Sequence, residues 1–235
     1  MGVACAGLLA AALAACGDDP DKGTNGIGRL SAEEIEQRAR QAAEDASSVR
    51  LTGTVISDGA SYDLDVRLGE EGAVGEVSSQ GSEFQLLRIG EDLYIKADAA
   101  FWQSDAVPEE LDSDPAQQLE GKYLRVARED PAYEQLSTFT RMDVLDALLT
   151  LDGERETGDR EEVGGVRAIR VEADGGQGGA LDVSLIGTPY PLRLERGGDA
   201  GVLRLDDWDQ ELALEPPAED EIVDYGEDMV TSAGE

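Results

Sequence analysis

Apolar and polar side chains alternate along much of this chain. Tyr62, Leu64, Val66 and Leu68 interleave with Asp63, Asp65 and Arg67, the signature of a strand with one buried face. Asp58-Gly59 precedes this run, and Glu70-Glu71-Gly72, Gln80-Gly81 and Gly90-Glu91-Asp92 punctuate the stretch beyond it. Strands joined this tightly between residues 49 and 97 predict an antiparallel meander, ended by Phe101-Trp102. Ahead of it the period is helical. Ser31-Ala32-Glu33-Glu34 reads as a capping box, with Leu30 and Ile35 at the staple positions. The helix is expected to run to about Ala46, with Ile35, Ala39, Ala42, Ala43 and Ala46 on one small-residue face that can lie close against a sheet.

Residues 107–119 carry Pro108, Pro115 and many acids, and read as a loop. Residues 123–126 suit a short strand. Asp130-Pro131 is an N-cap followed by proline, so a helix is expected from Pro131 to about Leu136. A second helix, 141–149, presents Met142, Leu145 and Leu149 with Val144 and Leu148 beside them. Strands return over 163–171, then past the glycine-rich 175–179 hairpin, where Leu181, Val183 and Leu185 alternate with Asp182 and Ser184. Thr188-Pro189-Tyr190-Pro191 and Gly197-Gly198 turn into two more, over 192–194 and 202–205. Pro216-Pro217 is expected to end regular structure, leaving 218–235 acidic. The predicted class is α+β: a single curved antiparallel sheet with helices on one face.

The N-terminus is of another kind. An apolar run from Val3 to Leu13 closes on Leu13-Ala14-Ala15-Cys16 and is followed by Gly17-Asp18-Asp19-Pro20-Asp21. The run is shorter than the ~20 residues of a membrane span and fits the ~7–15 residues of a secretory core. This order is the cleavage box of a bacterial lipoprotein signal, although no Lys or Arg precedes the apolar run. Residues 1–15 are therefore expected to be a signal peptide. Cys16 is expected to carry a diacylglycerol and acyl group, and residues 16–30 to be a flexible linker. Cys5 would leave with the signal, so no intrachain disulfide could form. The expected address is the extracytoplasmic face of the cell membrane, held by lipid.

Composition narrows the function. The 235 residues carry a net charge of −33, none of it within residues 1–15, which disfavours nucleic acid as a partner. There is no histidine, which removes Ser–His–Asp and Cys–His nucleophilic pairs and the commonest transition-metal ligand. Gly121-Lys122 lacks the glycine spacing of a phosphate loop, and Asp18-Asp19-Pro20-Asp21 lacks that of a calcium loop. With 52 acids, carboxylate pairs arise by chance and do not mark a glycosidase. Neither an enzyme nor a metal or cofactor site is expected. Aromatics are only 5%, and with a small-residue helix face the space under the sheet suits either a plain core or an apolar pocket for acyl chains.

Residues 62–68, Asp92-Leu93-Tyr94-Ile95-Lys96, Phe101-Trp102, Gly121-Lys122-Tyr123-Leu124, residues 163–168 and Pro189-Tyr190-Pro191-Leu192-Arg193-Leu194 occur in a familiar order. In these the chain resembles the LppX/LprG family of actinobacterial lipoproteins, related in fold to the lipoprotein carrier LolA and the stress sensor RseB. The resemblance spans roughly residues 31–225, leaving 226–235 as a tail. It implies a half-open antiparallel barrel closed on its concave side by helices. It also implies binding of lipid or lipoglycan in an apolar cavity for transport across the envelope, with no catalytic residues. Alternation and helix faces nominate Tyr62, Leu64, Val66, Leu86, Ile95, Met142, Leu145, Leu148 and Leu149 as cavity-lining. The expected protein is a monomer working with a membrane transporter. The alternative is a sensor that binds a membrane regulator protein.

Overall fold

The computed structural model describes residues 21–57, 59–79, 81–98, 119, 121–129, 131–138 and 140–224. The capping box forms: Ser31 accepts from the Glu34 amide, and the Glu34 carboxylate accepts from the Ser31 amide. It starts α1 (Ala32–Glu44), whose buried face holds Ile35, Ala39, Ala42 and Ala43. The meander follows as β1 (Ser48–Ser57), β2 (Ala60–Gly69), β3 (Gly72–Ser79), β4 (Ser82–Ile89) and β5 (Asp92–Ala97). Next come β6 (Tyr123–Arg125), α2 (Pro131–Thr138) and α3 (Val144–Leu148). A second meander holds β7 (Arg155–Val163), β8 (Val166–Ala173), β9 (Ala180–Ser184), β10 (Pro191–Glu195) and β11 (Gly201–Asp206), and β12 (Ile222–Asp224) comes last.

All twelve strands form one sheet in the order β12-β6-β5-β4-β3-β2-β1-β11-β10-β9-β8-β7. Pairing is antiparallel except between β12 and β6. The two meanders join where β1 pairs with β11. Glycine is required on both sides of that seam. Gly53 has φ 136°, and a Cβ there would lie 2.2 Å from the Val202 carbonyl oxygen; Gly201 has φ 115°, with a Cβ 2.1 Å from the Thr54 oxygen.

Register makes one face apolar across the middle of the sheet. Leu194, Leu203, Gly53, Leu64, Val77 and Phe84 face one another in a row across β10, β11, β1, β2, β3 and β4. The next row runs through Leu205, Leu51, Val66, Gly75, Leu86 and Ile95 to Leu124 on β6. α1 lies over β7 to β10 and also touches α3. Glu36, on α1, accepts from Arg155 Nε at 2.6 Å and from the Leu151 amide at 3.1 Å, fastening the helix to the start of β7.

Several expectations change. The strand expected over 163–171 is the later part of a hairpin whose turn is Gly164-Gly165, at φ 59° and 83°. Its first strand, β7, is nearly all polar because it is an edge: charge there leaves apolar burial to its neighbours and discourages further pairing. Residues 21–30, expected to belong to the flexible linker, are folded onto the sheet, since Ile27 enters the core and Asn25 hydrogen-bonds the turn after β9. Structure also continues past Pro216-Pro217, where residues 219–221 form a turn of 3₁₀-helix and β12 pairs with β6. The second helix is shorter than expected, with 141–143 in a turn before α3. Cys5, Cys16, Phe101, Trp102 and the tail 226–235 lie outside the described residues.

Candidate functional site

The apolar face gathers the side chains that the sequence nominated. β2 places Tyr62, Leu64 and Val66 on it by simple alternation, β4 adds Leu86 and β5 adds Ile95. Met142, Leu145, Leu148 and Leu149 reach it from α3 and its flanks. All of these nominated residues join one apolar cluster. Burial divides them. Val66, Leu86, Ile95, Leu145 and Leu149 are buried, whereas Tyr62, Leu64, Met142 and Leu148 are only half-buried.

The half-buried members extend beyond the nominated set. Val55, which faces Tyr62 across the β1–β2 hairpin, and Phe84 on β4 complete a strand-borne rim. Tyr133 and Leu136 on α2 and Val144 on α3 add a helix-borne one. Sequence reasoning passed over Val55 and Phe84, although both share the parity of buried positions on their own strands, Leu51 and Leu86. Half-covered side chains of this size leave hydrophobic stabilisation unrealised, at ~25 cal/mol per Å² of apolar surface still in water.

A buried cation fixes one border of this face. Arg88 occupies an otherwise apolar row, between Ala73 and Leu93, and is 8% exposed. Its Nε donates to the Thr140 carbonyl and hydroxyl oxygens, both at 3.1 Å. Nη2 donates to the same carbonyl at 2.8 Å and Nη1 to the Gly90 carbonyl at 2.8 Å. Burial, with Arg141 nearby, pulls its pKa below the usual guanidinium value, yet these oxygens suit a fork of donors. The turn that follows α2 is thereby tied to β4. Tyr133 adds a second tie by donating to the Glu91 carbonyl at 2.7 Å.

The opposite face is polar and internally paired. Arg50 grips Asp65 through two bonds of 2.8 and 2.7 Å, which hold the carboxyl below its ordinary range. Asp182 is fully buried on β9 between Arg170 and Arg193. Burial pushes its carboxyl up, against the pull of Arg193 and Arg170. An open groove of about 350 Å³ lies on this face, bounded by Arg50, Asp65, Arg67, Glu76, Gln85 and Tyr123. A cleft of about 360 Å³ lies beside Glu36 and Arg155. Among the described residues, no group of three or more Cys, Asp or Glu side chains is placed to hold a metal ion.

One large, mostly antiparallel sheet with a helix against its apolar side has a counterpart among solved structures. The trace is similar to that of LprF from Mycobacterium bovis. The likeness covers 80% of this chain and 97% of that one, at 14% identity and a TM-score of 0.47. A second, to an uncharacterised conserved protein from Thermus thermophilus, covers 82% and 98% at 10% identity, with a TM-score of 0.40. No protein-family model matches the chain, and no curated protein matches it by sequence.

Proposed function

We propose that this protein is a lipoprotein of the bacterial envelope. It is anchored outside the cell membrane through an acylated Cys16, and it binds the acyl chains of a lipid or lipoglycan on the apolar face for transport across the envelope. One observation carries the reading: an apolar face continuous across the sheet, whose rim of Val55, Tyr62, Leu64 and Phe84 is left half-buried. Acyl chains laid against that rim and the α2–α3 side chains would remove the remaining apolar surface from water. The anchor is supported by the Ala14-Ala15-Cys16 box and the apolar run before it. No catalytic role is assigned, since the chain holds no histidine and its polar clusters are mutually paired ion networks.

The test is the lipid content of the soluble chain prepared without Cys16. Native mass spectrometry is expected to show a bound lipid that organic extraction releases. A bare chain mass, with no uptake of acyl probes, would overturn the reading. A bare chain that instead recovers one stoichiometric membrane regulator from solubilised envelopes would support the sensor alternative.

A further inference from the structure

Residues 21–30 form a docked strap, far less free than their composition suggests. The Asn25 amide donates to the Leu185 carbonyl at 2.8 Å, and its side chain donates to the Ser184 and Gly187 carbonyls at 3.0 and 3.1 Å. Arg160 holds the Asp21 carboxylate at 2.8 Å and the Gly28 carbonyl at 3.0 Å. Arg167 donates to the Gly23 carbonyl at 3.0 Å. Ile27 is 5% exposed in the core. Asp21 is thus fixed to the sheet, and Cys16 stands five residues before it in sequence, a span of at most ~18 Å.

The end of the sheet that receives this strap also bears Ile186, in the turn after β9, which is 43% exposed. The other exposed large hydrophobics among the described residues, Ile56 at 44% and Val202 at 45%, lie at the opposite end of the strand register. Lys22 and Arg29 lie in the strap and Arg160 and Arg167 hold it from β7 and β8, with Arg29 and Arg160 both paired to Asp21.

Resting on the acylation of Cys16, we infer that the strap end of the sheet is a bilayer-facing surface, with Ile186 seated among the lipid headgroups. The docked strap thus orients the domain as well as tethering it. In that orientation the half-buried rim, at the far ends of β1, β2 and β4, is presented away from the anchoring membrane.

The full-length acylated protein, reconstituted in phosphatidylcholine vesicles, tests this. A polarity-sensitive fluorophore is placed by Ile186→Cys, Ile56→Cys or Val202→Cys, and a lipid-borne quencher is added. Quenching at 186 is expected to exceed that at 56 and 202 by about twofold or more, as for a side chain seated at the headgroup boundary. Inserting about 15 Gly/Ser residues between Pro20 and Asp21 is expected to bring 186 down to the level of 56. Vesicle flotation separates the two ideas. Protein that floats with 186 no more quenched than 56 overturns the orientation alone. Protein that does not float overturns both the orientation and the anchor.

Discussion

Tyr190 donates its hydroxyl proton to Asp209, joining the start of β10 to the turn after β11. The other Asp209 oxygen accepts from the Ser47 amide at 2.8 Å, so the same carboxylate also fixes the start of β1. The Tyr190 ring stacks on Trp208 at 4.6 Å between centroids. Desolvation and Asp209 push the Tyr190 hydroxyl up to about 12, while the bonds from Tyr190 and Ser47 hold the Asp209 carboxyl below its usual range.

This pair sets a pH window. The depressed Asp209 contributes stability that is complete above its unfolded value of ~3.9 and lost as pH falls towards its folded value. The raised Tyr190 contributes stability that is complete below its unfolded value of ~10 and lost as pH rises towards its folded one. Tyr190→Phe is expected to cost ~1 kcal/mol, the scale of a single hydrogen bond. The difference should be widest between those limits and shrink on both sides. Urea unfolding of the two proteins across the pH range checks this, and absorbance titration should lose a tyrosine that ionises at about pH 12.

The β1–β11 seam should be intolerant of any side chain. Gly53→Ala forces a Cβ into a carbonyl oxygen at a φ that L-residues rarely adopt, and is expected to destabilise by ~2–4 kcal/mol. Gly81→Ala, at φ 86° with open space around it, should cost only ~1 kcal/mol. A difference in urea midpoint between these two variants isolates the close approach from the backbone conformation.

Arg88→Ala is expected to strip partners from the Thr140 and Gly90 carbonyls and to cost ~2–3 kcal/mol. Arg88→Lys keeps the charge but loses the fork and should fall between. Hydrogen exchange at Thr140 and through α2 should rise in step, because that turn has lost its tie to β4.

Tyr62→Glu and Leu93→Ala should separate cargo from core. Leu93 is fully buried, so its truncation is expected to cost ~2–5 kcal/mol. Tyr62 is half-buried on the rim, and a carboxylate there can stay hydrated in the empty protein. It should reduce bound lipid about tenfold with under ~1 kcal/mol lost, because seating an acyl chain would desolvate the charge. Lipid per chain by mass spectrometry and the unfolding midpoint read the two effects separately.

Much of this architecture was legible as pattern. The parity of Tyr62, Leu64, Val66 and Leu68 and the glycine turns mark out the first meander, and Ser31 with Glu34 marks the start of α1. What escaped has physical reasons. β7 carries almost no apolar signal because it is a charged edge strand. The 21–30 strap is held by bonds through backbone carbonyls, by the Arg160–Asp21 ion pair and by the core residue Ile27, and a polar Gly-rich composition hides all three. The pairing of β1 with β11 is long-range, so no local pattern encodes it. For the candidate site, alternation placed Tyr62, Leu64 and Val66 together on the apolar face, but it could not separate the half-buried side chains from the buried ones. That division depends on which neighbours the helices cover.

The β1–β11 seam also imposes a timetable. β1 occupies residues 48–57, yet one of its two neighbours is not made until residues 201–206. Until then the strand carries an open edge, and the first meander has no second half to lean on. Contacts so distant in sequence close slowly, on the millisecond-to-second scale of non-local β topologies. On the proposed route of export that delay is useful: the sheet cannot lock until nearly all of the chain has arrived.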